Sequence, residues 1–547
     1  MHNVFRILEL VEMIFSHLLQ PESEQATRFP DINAFGRTCK FFSNHALSLM
    51  WRKQYTLTNF FKSMPADLWE ETEDNALTLL RPISPSDWER PLIYADYIKH
   101  FVLVEIPPAQ DILSAPVLET LGLCVPRQHL FPNLETIGWA PTYTLFPYLR
   151  LFLGPKIKGV NIHFPDTIPA FSLLPALSLR YPALTLATLR HLCVDDEHAA
   201  DPQLLLDADD LRVQYVSLFV RRLTQIVALD VDVVDQAAFE HLGQLQTLRT
   251  LNIGEFKRPT TMPQLPFPAL TTLHFRDTSI ALASTYLDGL HNCRLAMLFI
   301  DVTSPAVSIH ATKLYAALST SCAPAALQAL NVQNASWYHG WLHVGVDPAS
   351  YLVPRAALRS LCCFTELVMV NLQSPTGFDL DDETAWMLAR AWPRLRLLAL
   401  KADTAMAHYA PHATLDALRA FAQHCPELES LVLTFTAIVV PSESAPPQQT
   451  QSLMVQLGVG ASPISSAAPV AGFISALFPA LRTILIEHDR DETQALWDQV
   501  GKLLPAVQSE GDWEEEEEEE EESDDSDESQ EGENDGEGAI LGEIGLA

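Results

Sequence analysis

From about residue 98 onward, the apolar positions of this chain fall into a recurring phrase. It reads FPNLETIGW at 131, YPALTLATL at 181, FPALTTLHF at 267, WPRLRLLAL at 392, CPELESLVL at 425 and FPALRTILI at 478. Each copy opens on an aromatic residue or Cys, then Pro, then a Leu two residues later, and most continue as L-x-x-L-x-L. Proline disfavours helix at the residue before it, so a preceding helix must stop there. The alternation that follows has the two-residue period of a short strand with one buried face. Helical patterns lie upstream, DDETAWMLARAW before Pro393 and TLDALRAFAQHC before Pro426. Helix, proline stop and strand therefore make one unit. Weaker copies without the proline stand at 118 (LETLGL), 248 (LRTLNI), 295 (LAMLFI), 327 (LQALNV) and 367 (LVMVNL). Leading positions at 226, 248, 270, 295 and 327 are spaced by 22, 22, 25 and 32 residues, and one gap runs 53 residues, from 428 to 481.

This pattern resembles the leucine-rich repeat, over about residues 98–490. In that family parallel strands line the inside of a curved solenoid and helices the outside. The Asn or Cys usual eight positions after the first leucine is replaced by Thr278, Thr303, Thr436 and Asp403 in four units, which argues against a continuous asparagine ladder. An unrelated α/β fold rich in leucine is the alternative. Residues 437–472, rich in Pro, Ser, Gln and Ala, read as a mobile insertion before the last unit. Residues 491–509 read as a C-terminal cap helix.

The front end has a different periodicity. Leu10, Met13, Ile14 and Leu18 form one helical stripe. A polar connection leads to a second short helix from Ile32 to Cys39, and Ser43 is the candidate N-cap of a third, NHALSLMWRK. Three short helices in about 50 residues make too small a core to stand alone, so the piece must pack on the solenoid or be completed by a partner. The segments ILELVEMIFSHL (7–18) and FGRTCKFFSNHALSLMWRK (35–53) are similar to the F-box that precedes leucine-rich repeats in many fungal proteins, and MPADLWEE (64–71) fits a continuation into a linker. Leu8 stands where that family commonly has proline, and the first linker is long.

The resemblance implies an α/β chain of five parts. These are a three-helix F-box (1–55), a linker (56–97), an irregular solenoid (98–490), the cap helix and a disordered acidic tail (510–547). It further implies a substrate receptor whose F-box binds a Skp-type adaptor and cullin complex of a ubiquitin ligase, while the repeats hold a protein substrate. The adaptor contacts it points to are Leu10, Ile14, Phe15, Leu18, Phe35, Phe42 and Trp51, with the module's own core as the other use of these side chains. On the strands, the residues between the inward leucines face the concave side. Those are Asp230, Asp232, His274, Arg276, Asn331, Gln333, Asn371, Gln373 and Lys401, a mixed polar surface suited to a protein or peptide, though any one of them is more often merely solvated.

Charge narrows the partners. The net charge is −34, and residues 510–547 hold 20 Asp or Glu with no Lys or Arg, which leaves −14 for residues 1–509. Neither part carries the basic stripe of a nucleic-acid binder. The tail repels itself and is expected to stay extended. It reads as a solubilising appendage or as a lure for a basic partner such as a histone, with Ser523, Ser526 and Ser529 open to acidophilic kinases. A non-ligase interaction protein is thus a second reading, since repeats with an acidic tail also resemble acidic leucine-rich nuclear phosphoproteins. The eight cysteines include no C-x-x-C pair and fit reduced thiols. Glu9 and Glu12 interrupt the apolar start, and no run of 18 apolar residues occurs, so a cytoplasmic or nuclear chain without membrane segments is expected. No phosphate loop, G-x-S-x-G elbow or H-E-x-x-H is present. His339 and His343 are one helical turn apart but lack an acidic partner and flank Gly340, which points to a loop. No catalysis, metal or cofactor is expected.

Overall fold

The structure is a computed structural model. It describes residues 32, 34, 36–72, 77–104, 115–140, 143–191, 208–256, 264–304, 307–334, 347–402, 410–441, 451–486 and 491–504. Among these, fifteen strands form one sheet in unbroken chain order, from Lys53–Gln54 to Thr483–Leu485. Every neighbouring pair is parallel. Parallel neighbours require a crossover, and helices supply most of them on one side of the sheet. Helices are wider than the spacing of strands, so such a stack bends with the sheet on its inner, concave side.

The repeated leucines do what their spacing predicts. In each unit three apolar side chains are buried, for example Leu248, Leu251 and Ile253, then Leu270, Leu273 and Phe275, then Leu395, Leu398 and Leu400. The parallel register stacks them, so Leu229, Leu251, Leu273, Leu298, Leu330, Val370, Leu398, Leu431 and Leu457 form one row through the core. The proline stops recur with one geometry. Helices end at Arg180, Ala391, His424 and Leu477, and the next residue (Tyr181, Trp392, Cys425 or Phe478) donates its N–H to the carbonyl four residues back. Its side chain fills the core, and three residues on, Leu184, Leu395, Leu428 or Leu481 donates to its carbonyl at 3.2 Å. The threonines at the ladder position keep a backbone role, as Thr303 donates its N–H to the Thr278 carbonyl at 3.0 Å.

Several expectations change. Residues 437–472 are no interruption in their described part: Gln456–Gly458 is a full strand of the sheet and Ala467–Leu477 its helix. The 53-residue gap therefore holds two units. The second has Met454, Leu457 and Val459 in the three buried positions, a disguised L-x-x-L-x-L. LETLGL at 118 lies in the helix Ala115–Cys124 rather than in a strand. Residues 56–97 are no linker. Leu57, Phe60, Phe61, Met64, Leu68, Leu77 and Trp88 are buried in the solenoid's own core, where the Phe60 ring meets Phe131 edge-on at 5.4 Å. The solenoid also begins earlier than residue 98, because Lys53–Gln54 pairs with His100–Val104.

At the far end, Trp497 of the helix Asp491–Lys502 is fully buried, donates Nε1–H to the Ser462 carbonyl at 2.9 Å and so seals the last units. In front, the helix Lys40–Arg52 starts four residues before its expected neighbour Asn44, so Ser43 lies within its first turn; Cys39 is the N-cap, without a side-chain capping bond. No helix among the described residues is long and apolar enough to cross a membrane.

Candidate functional site

Strand alternation leaves the other side of the sheet uncovered by helices. In register there, one residue per strand, stand Val102, Gly138, Asn161, Thr188, Asp230, Asn252, His274, Phe299, Asn331 and Asn371. A second row, two residues further along each strand, holds Arg190, Asp301, Gln333, Gln373 and Lys401.

Asp230, Asp232, His274 and Arg276 were expected as separate, mostly solvated positions. Asp230, Asp232 and Arg276 are instead joined to one another, and His274 is paired with Asp301. Asp230 is only 9 % exposed. One of its carboxylate oxygens accepts from Arg276 Nη2 at 2.6 Å, the other from Arg190 Nη2 at 2.8 Å and Asn252 Nδ2 at 3.4 Å. Arg276 also reaches Asp232 at 3.2 Å, and the second oxygen of Asp232 accepts the His191 backbone N–H. The physical reason is depth. Charges half-enclosed on a sheet lose much of their water and are stable only when paired.

The cluster continues sideways. The Arg212 guanidinium donates to Asp166 at 2.6 Å, and His191 Nε2 lies 3.1 Å from the same carboxylate. Burial opposes the charge on Asp166, but those two partners outweigh it and hold its carboxyl below the usual range. Asp301 behaves alike: burial raises it, while His274 at 2.7 Å and Gln333 at 3.2 Å win and lower it. Burial, then the nearby Arg190, pushes His163 below the ordinary imidazole value and favours its neutral form. Asn331 accepts from Asn371 Nδ2 at 2.9 Å, and Gln373 accepts the Asn334 backbone N–H at 3.1 Å. Lys401 ends the row.

Sequence reasoning missed Asp166, Arg190, His191, Arg212, Asn252 and Asp301. Asn252 carried a usable signal, since it stands between the core positions Leu251 and Ile253 of a unit already recognised, and Arg190 directly follows the last core position, Leu189, of another. Arg212 lies on the helix Asp209–Val220, and no strand pattern could have marked it.

Beside the cluster the same face dips into a trough of about 320 Å³, floored by Gly138, Gly159, Ala228 and Thr250 and flanked by Asn161, Thr188 and Asn252. Leu186 stands up within it, 46 % exposed. The arrangement suits binding: hydrogen-bonding side chains, one apolar knob and a charge cluster already neutralised from within. Among the described residues no three His, Cys, Asp or Glu side chains are placed to hold a metal ion.

Of the adaptor set, Leu10, Ile14, Phe15, Leu18 and Phe35 lie outside the described residues, as do His339, His343 and the acidic tail. Phe42 is not a surface anchor. It is 7 % exposed in a small core with Ile32 and Ala46, edged by Cys39, Leu49 and Met50 and separate from the solenoid's core. Trp51 points back to the solenoid and stacks on Tyr94, with ring centres 4.3 Å apart and planes within 6°. Phe41, which the sequence reading passed over, is the exposed aromatic of this helix.

No protein-family model matches the sequence, and no curated protein does. Among solved structures, an internalin from Listeria monocytogenes aligns over 75 % of this chain and 86 % of its own, at 11 % identity and a TM-score of 0.27. A likeness that low carries no weight, so the solenoid is described from its strand order and stacked core alone.

Proposed function

We propose that this chain is a protein-binding solenoid that serves as the substrate receptor of a cullin-based ubiquitin ligase, its front segment meeting a Skp-type adaptor and its open sheet face taking a protein substrate. The observation that carries the reading is the front helix. The front segment keeps a three-residue core of its own in Ile32, Phe42 and Ala46, and its helix Lys40–Arg52 meets the solenoid at its last residues, through the Trp51–Tyr94 stack and the Lys99 N–H bond to the Arg52 carbonyl at 2.9 Å. A core that small is marginal alone, and a partner that covers Phe41 and the candidate adaptor contacts Leu10, Ile14, Phe15 and Leu18 would complete it. The matches at 7–18 and 35–53 to the F-box name the kind of partner. Such a receptor works in the cytoplasm or nucleus.

The test is co-expression of the full chain with a Skp-type adaptor, for the wild type and for Leu10→Ala/Phe15→Ala. Association that is lost in a variant whose melting temperature is unchanged supports the receptor. Absence of association by the wild type sinks it and leaves an interaction protein that works outside a ligase.

A further inference from the structure

One edge of the open face is basic in an otherwise acidic chain. Just before each strand begins, successive residues are tied by backbone hydrogen bonds. Lys99 N–H bonds to the Arg52 carbonyl at 2.9 Å, Glu135 to Lys99 at 2.7 Å, Lys158 to Glu135 at 2.8 Å and Thr185 to Lys158 at 2.9 Å. Val227 follows on Thr185 at 2.7 Å and Arg249 on Val227 at 2.8 Å. The row therefore sets Arg52, Lys53, Lys99, Lys158 and Arg249 along one lip, with Lys156 two residues from Lys158. Glu135 is the single carboxylate in that row, and Lys158 reaches it at 2.9 Å and Lys99 at 3.5 Å. Nearby Asp96 is taken by Arg127 at 2.5 Å. The side chains of Lys158 and Lys99 remain 63 % and 44 % exposed, and Arg52, Lys53, Lys156 and Arg249 are exposed as well. The local field registers on His100, whose pKa is lowered by burial first and then by Arg52. The trough opens beside this lip, since Thr136, Gly159, Leu186, Ala228 and Thr250 each follow a lip residue directly.

We propose that lip and trough together take an extended acidic segment of a protein partner, laid across the strands, with its carboxylates on Lys99, Lys158 and Arg249 and a small apolar side chain beside Leu186. Charge complementarity selects this occupant. The cations of the lip outnumber its carboxylate, while the Asp230 carboxylate at the trough wall is already neutralised by Arg276 and Arg190. Spacing sets the register of the partner. Lys99 and Lys158 are two strands apart and Lys158 and Arg249 three, roughly 10 and 14 Å at about 4.8 Å per strand. An extended chain rising about 3.3 Å per residue covers those intervals in about three and four residues. Asn161, Thr188 and Asn252 supply amide and hydroxyl groups that match a peptide backbone. A nucleic acid fits the trough less well, because no aromatic side chain lines it to stack a base. Such a partner deepens the reading of the open face as a protein-binding surface and depends on it, but needs no adaptor.

Random peptides of about twelve residues, displayed on phage and selected on the full chain, test the proposal. The enriched sequences should be acidic, with Asp or Glu recurring about three to four residues apart. A fluorescein-labelled copy of the most enriched peptide, read by anisotropy, should bind Lys99→Gln/Lys158→Gln/Arg249→Gln about tenfold or more weakly than the wild type, with an unchanged melting curve. Binding should also weaken at about 1 M salt, where the screening length shrinks to about 3 Å. Glu135→Gln should bind the peptide about two- to threefold more tightly, because Lys99 and Lys158 lose their competing carboxylate; a misfolded variant would not gain affinity. Lys313→Gln/Arg359→Gln, on helices of the other side, should match the wild type. Enrichment of neutral or basic peptides, no enrichment, or equal affinity in the triple variant would each overturn the proposal. So would tight binding of a short oligouridylate that the triple variant loses, which makes a nucleic acid the occupant. Light scattering that shows a dimer dissolved by the triple variant would overturn it too, by making a second copy the occupant. Adaptor association is scored on the same protein: its absence beside acidic enrichment sinks only the ligase reading, and its presence without acidic enrichment sinks only the acidic partner.

Discussion

At the scale of single residues, the open face is governed by pairing. Asp166 and Asp301 have carboxyls lowered beneath the ordinary value of 3.8. A carboxylate lowered by folding adds stability that is fully present above the unfolded value and is lost as the pH falls through the folded one. Stability of the wild type should therefore drop as the pH falls below about 4, and the drop should be shallower in Asp166→Asn/Asp301→Asn, as urea titrations at stepped pH would read. Asp230→Ala should cost more, about 3–5 kcal/mol, because it leaves the enclosed Arg276 without its nearest carboxylate. Gly254 tests backbone approach. A Cβ there would meet the Asp232 carbonyl oxygen at 2.5 Å, whereas one at Gly472, inside the helix Ala467–Leu477, meets nothing within 4 Å. Gly254→Ala should lose about 1–3 kcal/mol, and Gly472→Ala should gain about 0.5–1 kcal/mol. Equal effects in the two would contradict the packing described. The positions on the open face were legible from alternation alone, but their mutual pairing was not. It depends on which strands become neighbours and how deep the face lies.

At the scale of elements, each unit is held by punctuation at both ends of its helix. The proline stops were plain in the sequence, since Tyr181, Trp392, Cys425 and Phe478 each precede a proline in one repeated phrase. The N-caps were harder to see. Asp235 and Ser279 follow their strands directly, Asp381 and Thr414 after a loop, and all four accept backbone N–H groups of the helices they open, yet without the structure they look like ordinary loop residues. Asp235→Ala should cost about 1 kcal/mol, while Ser466→Ala, at a cap that makes no side-chain bond, should be close to neutral. The unit at Met454 escaped notice because Met and Val replaced leucine and the polar residues before it diluted the signal. Residues 56–97 escaped because their apolar positions cover the end of the stack once and have no repeat to betray them.

At the scale of the whole molecule, units stabilise only their neighbours, so the two ends are where the core would otherwise meet water. Leu57, Phe60, Phe61 and Met64 close one end, and Trp497 the other. Trp497→Ala should cost about 3–5 kcal/mol and should raise amide exchange first in residues 451–486, leaving 228–302 protected. Uniform exchange along the chain would argue against a one-dimensional stack. The solenoid itself could be recognised from sequence because its period repeats. The front segment could be recognised only by resemblance, and the aromatic part of its joint to the rest, Trp51 on Tyr94, involves two residues 43 positions apart that share no periodic signal.

The unbroken order of the strands has a mechanical corollary. A load applied between the front helix and the last one runs across the stack, and the outermost unit is always the weakest link. Pulled in an optical trap, the protein should yield in steps, each releasing one unit. The regular units between 228 and 329 comprise 22–32 residues, which corresponds to about 8–11 nm of slack per step. It would lengthen under tension like a pleated strap and refold from whichever units remain stacked.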